Sequence, residues 1–191
     1  DMDNVAVRQS LAQGTIEKYL QKLKVQQDDV FYIPAGTVHG IGAGNLIVEV
    51  QESSNLTYRL YDYDRVDKAG QKRELHLEKA LAVADLKGKA APRQPLRVLR
   101  YTPGSATEFL CRCKYFQVER LLLNTEGKSK LAELYTGSSS FQALLCLDGE
   151  GYILTEDKEK LAYSKGNCIF IPANTGKLQL CGRSQFLKIS C

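Results

Sequence analysis

The sequence predicts a mainly β protein made of two related units with a few helices. In the first half, residues 46–51 and 56–61 alternate between an apolar face and a more polar one, with Ile47 as an aliphatic residue on the polar face, as half-buried strands do. The second half contains many short β-prone runs separated by turn signals, which favours a small all-β barrel or sandwich. The two halves also share a repeated segment, residues 29–37 and 167–175. We therefore expect the halves to share a fold.

Composition limits the classes of function. With 191 residues and 43% hydrophobic content, the chain can bury one good core or two small ones. The net charge of +4 is mild and the basic residues are spread along the chain, which argues against a nucleic-acid surface. No apolar run approaches the roughly 18 residues of a membrane span. The six cysteines lack Cys-x-x-Cys spacing, so we expect buried free thiols and, with no signal-peptide pattern at the N-terminus, a cytoplasmic protein.

Two helices are predicted in the first half. Residues 10–24 carry leucine and isoleucine at near-helical spacing, with Gly14 as a weak point, and residues 74–86 return to the same period. His76 falls in the second helix. Because no second ligand type stands at helical spacing around it, we expect a surface or capping histidine.

A domain boundary is predicted near residue 88. Residues 87–95 are rich in Lys, Gly and Pro and poor in large apolar side chains, as linkers are. We therefore divide the chain into domains at residues 1–88 and 89–191. The strands predicted beyond the boundary are residues 108–113, 116–123, 140–148, 151–155, 167–171, 178–181 and 185–190.

The repeated segment leads into the strongest candidate site. The two copies, DVFYIPAGT and NCIFIPANT, share Ile-Pro-Ala-x-Thr at a constant offset. In the first copy a glycine-rich loop follows and contains His39, one of the two histidines in the chain. The matching position in the second copy is Lys177. Only the first copy therefore keeps a residue able to bind a metal.

Glu49 and Arg59 lie on the two alternating runs that follow the loop. If these runs pair as a hairpin, an odd-length connection places the two side chains level with each other and an even-length one does not. The sequence leaves both connections open. The pair could serve catalysis, with arginine stabilising negative charge, or it could be a structural ion pair.

Four segments together resemble the zinc-dependent mannose-6-phosphate isomerases of the cupin superfamily, especially their short bacterial form. These segments are IPAGTVH at 33–39, EVQESSNLTYRLYDYDR at 49–65, RELHL at 73–77 and LDGEG at 147–151. The resemblance covers essentially the whole chain. It implies two cupin-like (jelly-roll) barrels with a few helices. Residues 1–88 would then hold the C-terminal part of a catalytic barrel that is incomplete at its N-terminus, and residues 89–191 a degenerate second barrel.

The resemblance also implies roles for individual residues. His39 stands where the family has a histidine ligand of zinc, Glu49 where it has an acidic residue lining the active site, and Arg59 where it has a catalytic arginine. The implied reaction interconverts mannose 6-phosphate and fructose 6-phosphate through an enediol. Whether Glu49 is a base or an orienting group stays open. Glu52 and the pair at 55–56 depart from the commonest short-form pattern without touching the three matched positions.

One expected part of the zinc site is absent from this sequence. The family holds zinc with a Gln-x-His pair, a glutamate and the histidine matching His39, and the chain contains no Gln-x-His. Because zinc sites use at least three protein ligands, we expect the other ligands to precede residue 1. The chain would then be the C-terminal portion of a longer isomerase, inactive without its N-terminal segment. The alternative is a non-catalytic cupin-type module for sugar binding or regulation.

Overall fold

The chain forms two compact units. A computed structural model describes residues 2–88, 98–127 and 129–191, and the first unit ends in the sequence at Arg93. The predicted linker, with the boundary inside it, falls almost wholly outside the described residues. Among the helices that the structure describes, none is long and apolar enough to span a bilayer.

The first unit begins with a short helix, α1 (Asn4–Ala12). The Asp3 side chain caps it by accepting a hydrogen bond from a backbone N–H of the first turn, at 2.7 Å. The predicted helix at 10–24 is wrong in its bounds. The helix ends because Gly14 takes a left-handed conformation, with φ of 63°, and only a 3-10 turn, Ile16–Tyr19, follows.

A second helix, α2 (Leu77–Val83), is shorter than the predicted 74–86. His76 is its N-cap residue, although its side chain makes no capping hydrogen bond. The two helices are joined by a bidentate ion pair between Arg8 and Glu78. They share a small core whose buried members are Val7, Ile16 and Leu81.

The strands predicted at 46–51 and 56–61 do not form. In residues 2–88, extended pairing is limited to isolated bridges such as Thr37–Asp85 and Val66–Lys72. A strand needs a neighbouring strand for its backbone hydrogen bonds, and the described part of this unit supplies none. The side chains therefore alternate in the sequence, but no ladder of backbone hydrogen bonds forms along these runs. A first barrel is not observed in this unit.

Within residues 98–127 and 129–191, the second unit is an antiparallel sheet of eight strands. In chain order they are β1 (Leu99–Thr102), β2 (Ser105–Arg112), β3 (Gln117–Asn124), β4 (Ala132–Thr136), β5 (Gln142–Leu154), β6 (Lys160–Ser164), β7 (Cys168–Ile171) and β8 (Gly176–Ser190). The main path is β1-β2-β3-β8-β5-β6, with β4 added on β8 and β7 on β5. The last strand therefore pairs with three others.

Long bent strands give the sheet its curvature. β5 and β8 each run through a glycine with positive φ, Gly149 at 83° and Gly182 at 128°. At these points the strands approach so closely that a Cβ on Gly149 would lie 2.0 Å from the Arg183 carbonyl oxygen. The sequence predicts each long strand as two shorter ones, because glycine is read as a break. Here glycine permits the bend instead.

The apolar core of this unit lies between the curved strands. Its buried members come from β3 to β8 and are Leu121, Leu123, Ala132, Leu134, Leu144, Cys146, Ile153, Tyr163, Ile171, Leu178, Leu180 and Phe186. All six cysteines are free, as expected, but the expectation that they are buried holds for Cys146 alone. Since its cysteines form no disulfides, the stability of the unit depends on apolar packing and on the backbone hydrogen bonds between strands.

Candidate active site

The repeated segment makes the same turn in both copies. Gly36 and Asn174 occupy matching positions and both have positive φ, 85° and 64°. In the second copy the turn joins β7 to β8, whereas in the first copy no strand flanks it. At the place of His39, Lys177 has its Nζ 2.6 Å from a carboxylate oxygen of Glu133. The second copy thus uses this position for an ion pair.

The first turn is fastened to the end of α2. The Asp85 N–H donates to the Gly36 carbonyl oxygen at 2.8 Å. A Cβ at Gly36 would lie 2.6 Å from the Val83 carbonyl oxygen, so both the positive φ and the close approach require glycine. This contact fixes the start of the loop that carries His39.

His39 is exposed at the surface of its loop, and one ring nitrogen is already engaged. Its Nδ1 lies 2.8 Å from the Thr37 carbonyl oxygen. Because a carbonyl oxygen can only accept, Nδ1 carries a proton in this hydrogen bond, and in the neutral ring the lone pair is then on Nε2. Histidine ligands of zinc are usually held in this way, with the other ring nitrogen donating to a carbonyl or carboxylate.

His39 therefore fits zinc as a single ligand. Across residues 2–88, 98–127 and 129–191, no three His, Cys, Asp or Glu side chains cluster closely enough to hold a metal ion. A zinc site that uses His39 needs at least two more protein ligands. The described residues do not supply them.

Glu49 and Arg59 are not brought together. Glu49 is exposed on a segment without secondary structure. In the part of the chain that the structure describes, no hydrogen bond or ion pair joins it to His39 or Arg59. Since neither alternating run forms a strand, the question of hairpin parity does not arise here. The assignments of Glu49, Arg59 and His39 remain predictions.

Arg59 is half-buried and firmly held. Its backbone N–H donates to Nδ1 of His76 at 3.2 Å, and its carbonyl oxygen accepts from the His76 N–H at 2.8 Å. Its guanidinium Nη1 donates to the Glu74 carbonyl oxygen at 2.9 Å. The ring of Tyr58 lies 6.3 Å from that of His76. The second histidine thus positions the backbone of the candidate catalytic arginine.

A buried carboxylate that sequence reasoning missed lies three residues further on. Asp62 is only 6% exposed. Arg73 donates to both of its oxygens, from Nε at 2.8 Å and from Nη2, and Arg65 Nη2 donates to Oδ1 at 2.5 Å. The hydrogen bonds from Arg73, then from Arg65, hold the pKa of the Asp62 carboxyl far below its usual range. The carboxylate is therefore ionised at neutral pH. In the sequence, the nearby Arg65 and Arg73 are the only sign that Asp62 has charged partners.

The fold of the second unit places the chain in a structural class. The chain is mainly β, with an antiparallel sheet and few helices, and its likeness to a solved structure and to a cupin-domain family model identifies the fold as cupin-like, as the resemblance implies. The crystal structure of mannose 6-phosphate isomerase from Bacillus subtilis aligns with a TM-score of 0.61 at 28% identity, covering 72% of this chain and 41% of that chain. The predicted pair of barrels is not established by this likeness.

The family follows from the sequence comparison. Residues 105–190 match the family model described as mannose-6-phosphate isomerase, cupin domain, and belong to that domain family. The mannose-6-phosphate isomerase ManA of Bacillus subtilis strain 168 is 33% identical over 175 residues, 92% of this chain and 53% of the relative. A mannose-6-phosphate isomerase of Streptococcus mutans is 35% identical over 166 residues, 87% of this chain and 49% of the relative. The predicted resemblance to the cupin-type mannose-6-phosphate isomerases is confirmed.

These alignments also set the extent of the likeness. The chain spans about half the length of the curated relatives it matches, at 53% and 49% of the first two.

Proposed function

We propose that this chain forms part of a zinc-dependent isomerase that interconverts mannose 6-phosphate and fructose 6-phosphate through an enediol. The observation that carries the proposal is the likeness to two proteins named mannose-6-phosphate isomerase, at 33% and 35% identity over most of this chain. Because the chain spans about half of those relatives, the activity is assigned to a longer protein that contains these residues. Its other segment is the partner that we expect to complete the site.

Arg59 is assigned to the developing negative charge. Aldose–ketose isomerisation moves a proton between adjacent carbons and creates an enediolate, which a fixed cation stabilises. Arginine stays protonated at every relevant pH. Here its guanidinium is held through one nitrogen on the Glu74 carbonyl oxygen, at 2.9 Å. Its other N–H groups are the donors that would bind a substrate oxygen.

Glu49 is assigned to the same active site. Its carboxylate is exposed, so it is accessible for proton transfer to a substrate. The reaction requires a base and a proton relay between the sugar oxygens. Replacement of Glu49 by glutamine separates the two roles that the sequence leaves open, because an orienting amide retains hydrogen bonding whereas a base is lost.

His39 is assigned as one zinc ligand through Nε2. Its Nδ1 donates to the Thr37 carbonyl oxygen at 2.8 Å, which supports that tautomer. Zinc held there would act as a Lewis acid toward the sugar oxygens. The remaining ligands are assigned to the segment outside this chain. The non-catalytic alternative, a sugar-binding or regulatory module, is not favoured, since the relatives carry the isomerase name.

The test is replacement of Arg59 in the full-length protein. We expect conversion of mannose 6-phosphate to fructose 6-phosphate that chelators abolish. We expect Arg59→Ala to lower kcat by about 10²- to 10³-fold, because the enediolate loses its fixed cation. Zinc measured by elemental analysis should be retained in this variant, whereas His39→Ala should lose it. Unchanged turnover in Arg59→Ala would refute the role of Arg59. A wild-type protein without isomerase activity would refute the function.

A further inference from the structure

Two neighbouring segments of the first unit are fastened at both ends. At one end Arg59 bonds to His76 and Glu74, through backbone and guanidinium groups at 2.8–3.2 Å. At the other end Asp62 binds Arg73. Residues 59–62 and 73–76 therefore run antiparallel and contact each other at both ends.

Side chains make most of these attachments. Within the described residues, the backbone hydrogen bond between the two segments is that from His76 N–H to the Arg59 carbonyl oxygen. Leu60 and Tyr61, which lie between the two contacting ends, pack against the small apolar core of the unit. Without a strand ladder, the spacing of the segments depends on the carboxylate of Asp62.

The connection from Asp62 to the guanidinium of Arg59 is short. Asp62 binds both Nε and Nη2 of Arg73, which fixes the plane of that guanidinium. The next residue along the chain, Glu74, presents the carbonyl oxygen that accepts from Arg59 Nη1. Loss of the carboxylate would leave the Arg73 guanidinium without its partner, and the backbone at Arg73 would then be held on one side by the Val66–Lys72 bridge alone. The Glu74 carbonyl would then no longer hold one orientation.

We propose that Asp62 is a positioning residue that fixes the Arg59 guanidinium by holding Arg73 and, through it, the Glu74 carbonyl. The inference rests on the proposed role of Arg59 in sugar-phosphate isomerisation. Asp62 is assigned no direct contact with substrate, because it is buried and both of its carboxylate oxygens accept hydrogen bonds from arginine. Its effect belongs to the chemical step, because Arg59 acts on the charge that develops there.

The first experiment measures steady-state kinetics of Asp62→Asn in the full-length enzyme. We expect kcat to fall by about 10- to 100-fold, as for other residues that orient an active group, while KM changes by less than about threefold. The matched control is Glu78→Gln, which breaks another bidentate arginine–carboxylate pair of the same unit, that with Arg8. We expect its kcat to equal that of the wild type.

The second experiment separates positioning from general destabilisation. The change at Asp62 is repeated in an Arg59→Lys background, in which the guanidinium to be oriented no longer exists. We expect Asp62→Asn to lower kcat when Arg59 is intact and to have no further effect in the Arg59→Lys background. Its effect on the unfolding midpoint should be the same in both backgrounds.

Each outcome decides the proposal. An equal loss of kcat in both backgrounds, or a loss matched by Glu78→Gln, would show that Asp62 acts only on the fold. If Asp62→Asn does not fold, Arg73→Lys replaces it in the same cycle, because lysine keeps the charge and loses the two-point contact. An inactive wild type would instead refute the proposed function. An active wild type with unchanged Asp62→Asn would refute the positioning role alone.

Discussion

Asp62 has a lower pKa in the folded protein than in the unfolded chain, because two arginines donate hydrogen bonds to its carboxylate. A carboxylate shielded from water is stable only with charged partners, and Arg73 and Arg65 supply them. Their hydrogen bonds lower the pKa of this carboxyl well below its usual range. A carboxyl whose pKa is lower in the folded chain stabilises the fold above its unfolded pKa, and that stabilisation is lost as the pH falls toward the folded value.

We therefore expect the stability difference between wild type and Asp62→Asn to depend on pH. It should be largest at neutral pH and should shrink as the pH falls below about 4, the pKa of aspartate in an unfolded chain. Urea denaturation at a series of pH values measures it. A difference that stays constant between neutral pH and about pH 2 would show that the charge of Asp62 does not stabilise the fold.

Individual site residues differ in how far the sequence predicts them. The turn before His39 is predictable, because Pro, Ala and Gly in that order favour it and the second copy repeats it. The link between Arg59 and His76 spans 17 residues of sequence, and no local pattern reports such a contact. The burial of Asp62 cannot be predicted from local sequence either, because it depends on arginine partners that the fold brings close.

At the scale of elements, the second half is predicted better than the first. The strands expected at 108–113, 116–123 and 167–171 correspond to β2, β3 and β7. The sequence misses β1, β4 and β6, which are only four or five residues long. In the first half, side-chain alternation is present without strands, because alternation reports a face to bury and does not supply a pairing partner.

Glycine at the bends of β5 and β8 provides a test at this scale. Gly149 and Gly166 have nearly the same φ, 83° and 89°, but a Cβ at Gly166 would meet nothing within 4 Å. We expect Gly166→Ala to cost about 1–2 kcal/mol, the penalty for a left-handed alanine. Gly149→Ala should cost more than about 3 kcal/mol, because the new methyl group also collides with the Arg183 carbonyl oxygen. Thermal and urea denaturation of the two variants measure both.

Equal destabilisation in the two variants would contradict the close approach of β5 and β8. The comparison is matched, since each variant adds one methyl group at positive φ and only the surroundings differ.

At the scale of the whole molecule, the two units differ in how they are stabilised. Among the residues that the structure describes, the second unit has an antiparallel sheet and a core cluster of 12 buried residues, whereas the core cluster of the first unit has three. The first unit also exposes large apolar side chains along its alternating runs, such as Leu46 at 99% and Leu56 at 72%. Contiguous exposed apolar patches are typical of surfaces that bind another segment or chain.

Hydrogen exchange measured by mass spectrometry tests this contrast on the 191-residue chain. We expect amides of residues 41–57 to exchange first, because they lack strand pairing. Amides of β5 and β8 should exchange slowest, since both strands are paired along most of their length. Equal protection of residues 46–51 and β8 would show that the alternating run is paired in solution.

The position of β8 in the sheet also determines the order in which the second unit can fold during translation. This strand pairs with β3, β4 and β5, and the ribosome synthesises it after all three. Until residues 176–190 leave the exit tunnel, each of those strands has an open edge. The hairpins β1-β2, β2-β3 and β5-β6 can form earlier, because they join strands that are adjacent in sequence. The nascent sheet is therefore open to pairing with other chains along these edges until its central strand arrives.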